Sequence, residues 1–393
     1  MNCENLYAAR MSRVKLSEIA EMAKDSQGCL SLAEGVPAAD MFPIEEMIAC
    51  SKQILEERGK NLLQYGNYGG VLGLRTRIAH IVKLRYEMNV SEDNILVTTG
   101  STQCMDLLGR VFIDEGDIVL VETPSYIDGM NTFAFYGGHI QNIPSDDDGM
   151  DLVALEQYLS SHDKVKAIYV IPDFQNPTGR YWSVEKRKAF MNLVNQYDLM
   201  VLEDNPYGEI NYSDENRPSL ASMDTKRQVV YMGSFSKTFS PGLRVGYVIG
   251  HKTIVDQLEL TKESVDLHST ALNHAIIEQY MVNYSYDDHV SYMCNVYKKR
   301  LDTLCDTLAR ELPEFRFIKP LGGFFLWVTI PDNIHCYDLF HACIKEKVSF
   351  VPGLPFYSTK DNTNHIRLNF TGISEDNIVE AVTRMKRAYE SLL

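Results

Sequence analysis

Residues 233–246 read GSFSKTFSPGLRVG. Lys237 stands there among Ser234, Ser236, Ser240, Pro241 and Gly242, residues that suit a tight loop, with Arg244 seven residues on. The preceding QVVYMG is apolar and β-branched, and the following RVGYVIG reads as a second strand. About ten residues between two strands are too few for a helical crossover, so at least one pair here is expected to be antiparallel. A lysine held between buried strands, among groups suited to an anion, is a candidate for covalent chemistry. A surface loop with an incidental lysine is the competing reading, and the surrounding sequence decides between them.

On either side the same alternation repeats. NILVTT (94–99), DIVLVE (117–122), KAIYVIP (166–172) and LMVLED (199–204) are short apolar runs. STQCMDLLGRVF, DLVALEQYLSSH and SVEKRKAFMNLVNQYD carry helical spacing between them. Strands apolar on both faces, alternating with helices, predict an α/β layered fold on a mostly parallel sheet. From about residue 252 long helices take over. GGFFLWVTI, VSFVPG and NHIRLNF then form a second strand-bearing region, and a last helix begins at Ser374. The expected division is an arm over 1–45, a large domain over 46–285 and a small one over 286–393, in keeping with a chain of 393 residues.

An apolar fraction of 45% with 23% charged residues describes a soluble globular chain. The net charge of -15 argues against nucleic acid as partner, because that binding needs a basic surface. Eight cysteines without a C-x-x-C pair, and histidines without H-x-x-x-H spacing, predict free thiols and no metal site. The first residues lack the apolar core of a signal peptide, and no run reaches the roughly 18 apolar residues of a membrane span. A cytoplasmic protein with no membrane partner is expected.

Five loops that follow strands carry the candidate chemistry, as expected where ligands sit beyond the carboxyl ends of a sheet. In TTGSTQ, Ser101 and Thr102 open a helix whose free N–H groups favour an anion; a plain helix cap is the alternative. In ETPSYIDG, Tyr126 presents a ring fit to stack on a flat group, or to finish the edge of the core. In IPDFQNPTGR, Asn176 offers an amide donor within a constrained turn. In VLEDNPYGE, Asp204 ends a buried strand and requires a cationic partner or a cap, with Tyr207 three residues on. The fifth loop holds Ser234, Ser236, Lys237 and Arg244, the arginine suited to phosphate oxygens. A phosphate cradle, a stacking ring, two donors, a buried carboxylate and a reactive lysine together match the needs of pyridoxal 5'-phosphate.

GSTQCMDLLGRVF, FQNPTG, EDNPYGE, SFSKTFSPGLRVGY and NHIRLNF resemble the class I/II aminotransferases of PLP fold type I. The closest likeness is to the 2-aminoadipate/kynurenine aminotransferase group and the enzyme-like domain of MocR-type regulators. It covers nearly the whole chain, from SLAEGVPAADMFP (31–43) onward. It implies a three-layer α/β/α large domain and a smaller α+β domain. It also implies that Lys237 binds the cofactor covalently and shuttles the proton at substrate Cα. Asp204 would pair with the ring nitrogen, Asn176 and Tyr207 hold the ring hydroxyl, and Tyr126 stack on the ring. Ser101, Thr102, Ser234, Ser236 and Arg244 would take the phosphate, and Tyr65 would reach the phosphate of a neighbouring subunit in a homodimer. Arg367 would clamp the substrate α-carboxylate, with Asn176 and Gly35 in the same pocket. The arm reads AEG where the subgroup often has AGG, and QYGNYGGVLGLR is unusually glycine-rich; both departures bear on the substrate.

The function implied is transfer of an α-amino group to a 2-oxo acid. The same cofactor residues would serve a C–S lyase, racemase or decarboxylase equally well. A MocR-type regulator would require a winged-helix domain ahead of the match and a less acidic chain. For the substrate, the many aromatic residues and Tyr7 permit an aromatic or long aliphatic side chain, while Arg10 and Arg13 would serve a dicarboxylate such as 2-aminoadipate.

Overall fold

The apolar runs form strands in a computed structural model that describes residues 6–13, 18–213, 215, 217–359 and 364–393. In chain order these are β1 (Leu30–Ser31), β2 (Ile95–Thr98), β3 (Ile118–Thr123), β4 (His139–Asp146), β5 (Gly149–Met150), β6 (Val165–Val170) and β7 (Met200–Asn205). They continue with β8 (Val229–Ser234), β9 (Gly246–Ile249), β10 (Arg316–Phe317), β11 (Phe325–Thr329), β12 (Val348–Ser349), β13 (Val351–Pro352) and β14 (His365–Asn369). Eight of them make one sheet in the order β2-β9-β8-β7-β6-β3-β4-β5. The pairs β8–β7, β7–β6, β6–β3 and β3–β4 are parallel. β9 runs antiparallel to both β8 and β2, so the strands flanking Lys237 form an antiparallel pair and β2 runs in the direction of β8.

The central strands are buried on both faces, as their continuous apolar sequences require. Helices Ser101–Phe112, Leu152–Leu159 and Val184–Val194 lie between strands where their spacing placed them. Asp151 and Ser183 cap the latter two, accepting from backbone N–H groups of the first turn. Helices Lys252–Asp266, Ala271–Asn283 and Tyr286–Glu311 follow the large sheet.

A second, four-stranded sheet has the order β10-β11-β14-β13 and is antiparallel throughout. The stretch VSFVPG, expected as one strand, divides at Phe350. Its first half, β12, pairs in parallel with β1, and its second half, β13, joins the four-stranded sheet. Leu32 and Asn369 extend this tie, since the Asn369 N–H donates to the Leu32 carbonyl at 2.7 Å. The segment around Leu32 is thereby fixed beside β14, the strand that carries Arg367. Seven cysteines are free thiols, and Cys3 lies outside the described residues.

Candidate active site

The carboxyl ends of β2, β3, β6, β7 and β8 open on one cavity of about 330 Å³, lined also by residues of the arm and of β11 and β14. Asp204, next to last in β7, is buried there. Its Oδ2 accepts a hydrogen bond from the Tyr169 hydroxyl at 2.7 Å, while Oδ1 has no partner. Burial raises the carboxyl from 3.8 to about 6, opposed by the Tyr169 hydrogen bond and by the charge of Lys237. A buried carboxylate with one oxygen free is an unmet demand for a cation or a donor.

Lys237 meets the same cavity from the β8–β9 loop. Its ammonium donates to the Gly35 carbonyl at 2.8 Å and lies 5.7 Å from the centre of the Tyr207 ring. Burial lowers its pKa from 10.5 to about 8, helped by the positive charges of Arg367 and Arg244 and opposed by Asp204. Near neutral pH a useful fraction of this amine is therefore unprotonated and nucleophilic.

At the far end the sheet offers an anion site. Gly100, with φ +78°, turns the chain from β2 into the helix beginning at Ser101. A Cβ on Gly100 would overlap the Arg244 guanidinium, and one on Gly246 would come within 2.7 Å of the Ser101 nitrogen. Two residues without side chains thus allow Arg244 and β9 to approach the helix N-terminus. Arg244 adopts a left-handed backbone at φ +52°, and its guanidinium makes only two long bonds, 3.4 Å each, to the carbonyls of Pro241 and Thr99. The Ser234 hydroxyl accepts from the Ser236 N–H at 3.1 Å. Among the described residues no hydrogen bond engages the hydroxyls of Ser101, Thr102 or Ser236, although all three line the cavity.

The opposite wall holds Arg367. On β14 it is 5% exposed, so its charge is buried and not a surface one. One guanidinium nitrogen donates to Asn176 Oδ1 at 2.8 Å and the other to the Ala33 carbonyl at 2.9 Å, leaving Nε unpartnered. The group lies 4.1 Å from the centre of the Phe325 ring and 5.1 Å from that of Phe356. Burial lowers its pKa to about 10, partly countered by the nearby tyrosines and Asp128. Tyr207 is buried between, its hydroxyl pushed up by burial and in contact with Asn176.

Every residue expected at the site lines this cavity except Tyr65. Tyr65 is 78% exposed, edge-on to His268 at 6.1 Å, in a stretch that also exposes Leu63, Tyr68 and Leu72. Arg13 is drawn away to Glu115, and neither it, Arg10 nor Tyr7 lines the cavity. Tyr169, Phe325, Phe356 and Ile19 were not singled out from the sequence. The first three sit in apolar stretches where a functional aromatic and a core aromatic look alike, and nothing in the arm marked Ile19.

The arrangement suits a flat, phosphorylated ring. The unpartnered carboxylate oxygen would face a ring atom able to carry positive charge, an amine of lowered pKa shares the cavity, and the helix N-terminus with Arg244 would suit the phosphate. The sequence profile of the family "aminotransferase class I and II" matches residues 27–385. Aromatic-amino-acid aminotransferase 1 of Thermococcus litoralis is 36% identical over 98% of this chain and 94% of its own length. The 2-aminoadipate transaminase of Thermus thermophilus is 35% identical over 97% and 96%. The crystal structure of Pyrococcus horikoshii kynurenine aminotransferase in complex with PMP superposes with a TM-score of 0.94 at 36% identity, covering 100% of this chain and 98% of that one.

Proposed function

The chain belongs to the class I and II aminotransferases, and with the pyridoxal-phosphate-dependent transfer of amino groups thereby given, we infer which of its residues perform each part of the reaction. When bound, the cofactor supplies a carbonyl that accepts the amino group and a ring that withdraws charge from the substrate Cα. Lys237 would hold the cofactor covalently and move the proton at the substrate Cα. Asp204 would hold a proton on the ring nitrogen, Tyr207 and Asn176 would bind the ring hydroxyl, and Tyr126 would pack against the ring face. Ser101, Thr102, Ser234, Ser236 and Arg244 bind the phosphate. Arg367, with Asn176, binds the α-carboxylate beside Gly35. The observation that supports this reading most strongly is the unpartnered Oδ1 of buried Asp204, in one cavity with Lys237.

We further propose that the protein works as a cytoplasmic homodimer, Tyr65 reaching the neighbouring subunit's phosphate, and that the domains divide at 45/46 and 285/286. The exposed apolar side chains of Leu55, Leu63, Tyr65, Tyr68 and Leu72 support such an interface. Ile19, Ile127, Phe325 and Phe356 in the cavity wall favour an aromatic or long aliphatic substrate. Borohydride reduction of the yellow protein, followed by peptide mapping, tests the lysine: label on a residue other than Lys237 overturns the assignment. Donor screening against pyruvate and 2-oxoglutarate tests the substrate class.

A further inference from the structure

The cavity wall holds one charged side chain that the roles above leave unused. Asp128 lines the cavity in the first turn of helix Ile127–Phe135. Its Oδ2 accepts from the Tyr126 hydroxyl at 2.8 Å, so the carboxylate lies at the hydroxyl end of the ring proposed to cover the cofactor. It is exposed, and Oδ1 has no hydrogen bond to a described residue. Its charge acts on the guanidinium of Arg367, which lines the same cavity, and partly counters the lowering by burial. The cations lining the cavity, Lys237, Arg244 and Arg367, each have a part in the reaction or in binding the cofactor.

We propose that Asp128 is a specificity-determining residue: its free oxygen accepts a hydrogen bond from a donor on the substrate side chain, such as a phenol, indole or aryl amine, and repels side chains that end in a carboxylate. This deepens the aminotransferase reading given above and rests on it. A carboxylate in the first turn of a helix also interacts favourably with the helix dipole, and that role alone would not sort substrates by their side-chain chemistry. A substrate lacking the donor forgoes this charge-assisted contact, and one ending in a carboxylate faces a like charge, so the carboxylate sorts substrates by their side chains.

The test compares ratios of kcat/KM for tyrosine, phenylalanine and glutamate in the wild-type holoenzyme, Asp128→Asn and Asp128→Ala. Wild type is expected to favour tyrosine over phenylalanine by about tenfold and to disfavour glutamate more strongly, a charge-assisted hydrogen bond being of that size. Asp128→Asn, which retains an acceptor for Tyr126, should raise the glutamate-to-phenylalanine ratio about tenfold or more, and Asp128→Ala should also erase the tyrosine preference. Ratios unchanged in both variants overturn the proposal. Wild-type holoenzyme that transfers from no amino acid at all overturns instead the reading on which it rests. A measurement independent of the variants is competition by carboxylates on the wild-type holoenzyme. 3-(4-Hydroxyphenyl)propionate should bind more tightly than 3-phenylpropionate, and both more tightly than glutarate; the reverse order also overturns the proposal.

Discussion

Asp204→Asn keeps the shape of the side chain and removes its charge, and two separate effects follow. In the cofactor-free protein, burial raises the carboxyl from 3.8 to about 6. At about 1.4 kcal/mol per pH unit, ionising it in the folded state is disfavoured by about 3 kcal/mol. Below pH 4 the group is protonated in both states and nothing is lost. Between pH 4 and 6 the unfolded chain releases its proton first, so stability falls as pH rises, and above about 6 the full loss is present. Cofactor-free wild type should therefore lose about 3 kcal/mol more than the Asn variant across that interval. With cofactor bound the carboxylate gains a cationic partner, and the difference should shrink. The same contact favours the protonated ring nitrogen by roughly 1–3 pK units, about 1.4–4 kcal/mol. Amino transfer in a single turnover should then slow by about ten- to a thousandfold in the variant. Urea unfolding of both cofactor-free proteins from pH 4 to 7.5, with single-turnover rates of the loaded ones, measures both. Parallel pH dependences would remove the desolvated carboxylate, and equal turnover rates would return Asp204 to a structural role.

Three further outcomes follow from the same geometry. Because the amine of Lys237 is lowered to about 8, covalent capture of pyridoxal phosphate by cofactor-free protein should accelerate with rising pH and level off above about 8; a midpoint near 10.5, followed by absorbance, contradicts the buried amine. Arg367→Ala should lower kcat/KM by on the order of 2–4 kcal/mol through loss of a charge-assisted bidentate contact, with cofactor affinity little changed; the opposite pattern, by titration and steady-state rates, assigns the arginine to the cofactor. Gly100→Ala forces a Cβ into the Arg244 guanidinium at a left-handed φ. Strain of about 1–2 kcal/mol should weaken pyridoxal phosphate binding roughly tenfold, and an unchanged dissociation constant shows that Arg244 does not need that approach.

The large sheet was readable because parallel strands covered on both faces must be apolar without alternation, and β3, β6, β7 and β8 are written that way. β4 was not, since HIQNIPSD lies near the sheet edge beside two-residue β5, is partly exposed and carries polar residues throughout. The proposed phosphate end was legible for a related reason. A helix start, two serines and an arginine lie on short loops whose ends the strands fix, so local sequence largely determines what gathers there.

The substrate end obeys a different rule. Arg367 is held by Asn176, 191 positions away, and by the carbonyl of Ala33, 334 positions away. The second partner is a backbone atom, which any residue at position 33 would supply, so no side chain records it. Phe325 stacks under the guanidinium from the strand paired with β14, but in GGFFLWVTI it reads as core. Arg367 therefore depends on three chain segments meeting through the β1–β12 pair and the β11–β14 register. A change that frees the arm from β12 should loosen the hold on Arg367 while leaving the proposed phosphate end intact, because no atom of the arm bonds to Ser234, Ser236 or Arg244 among the described residues.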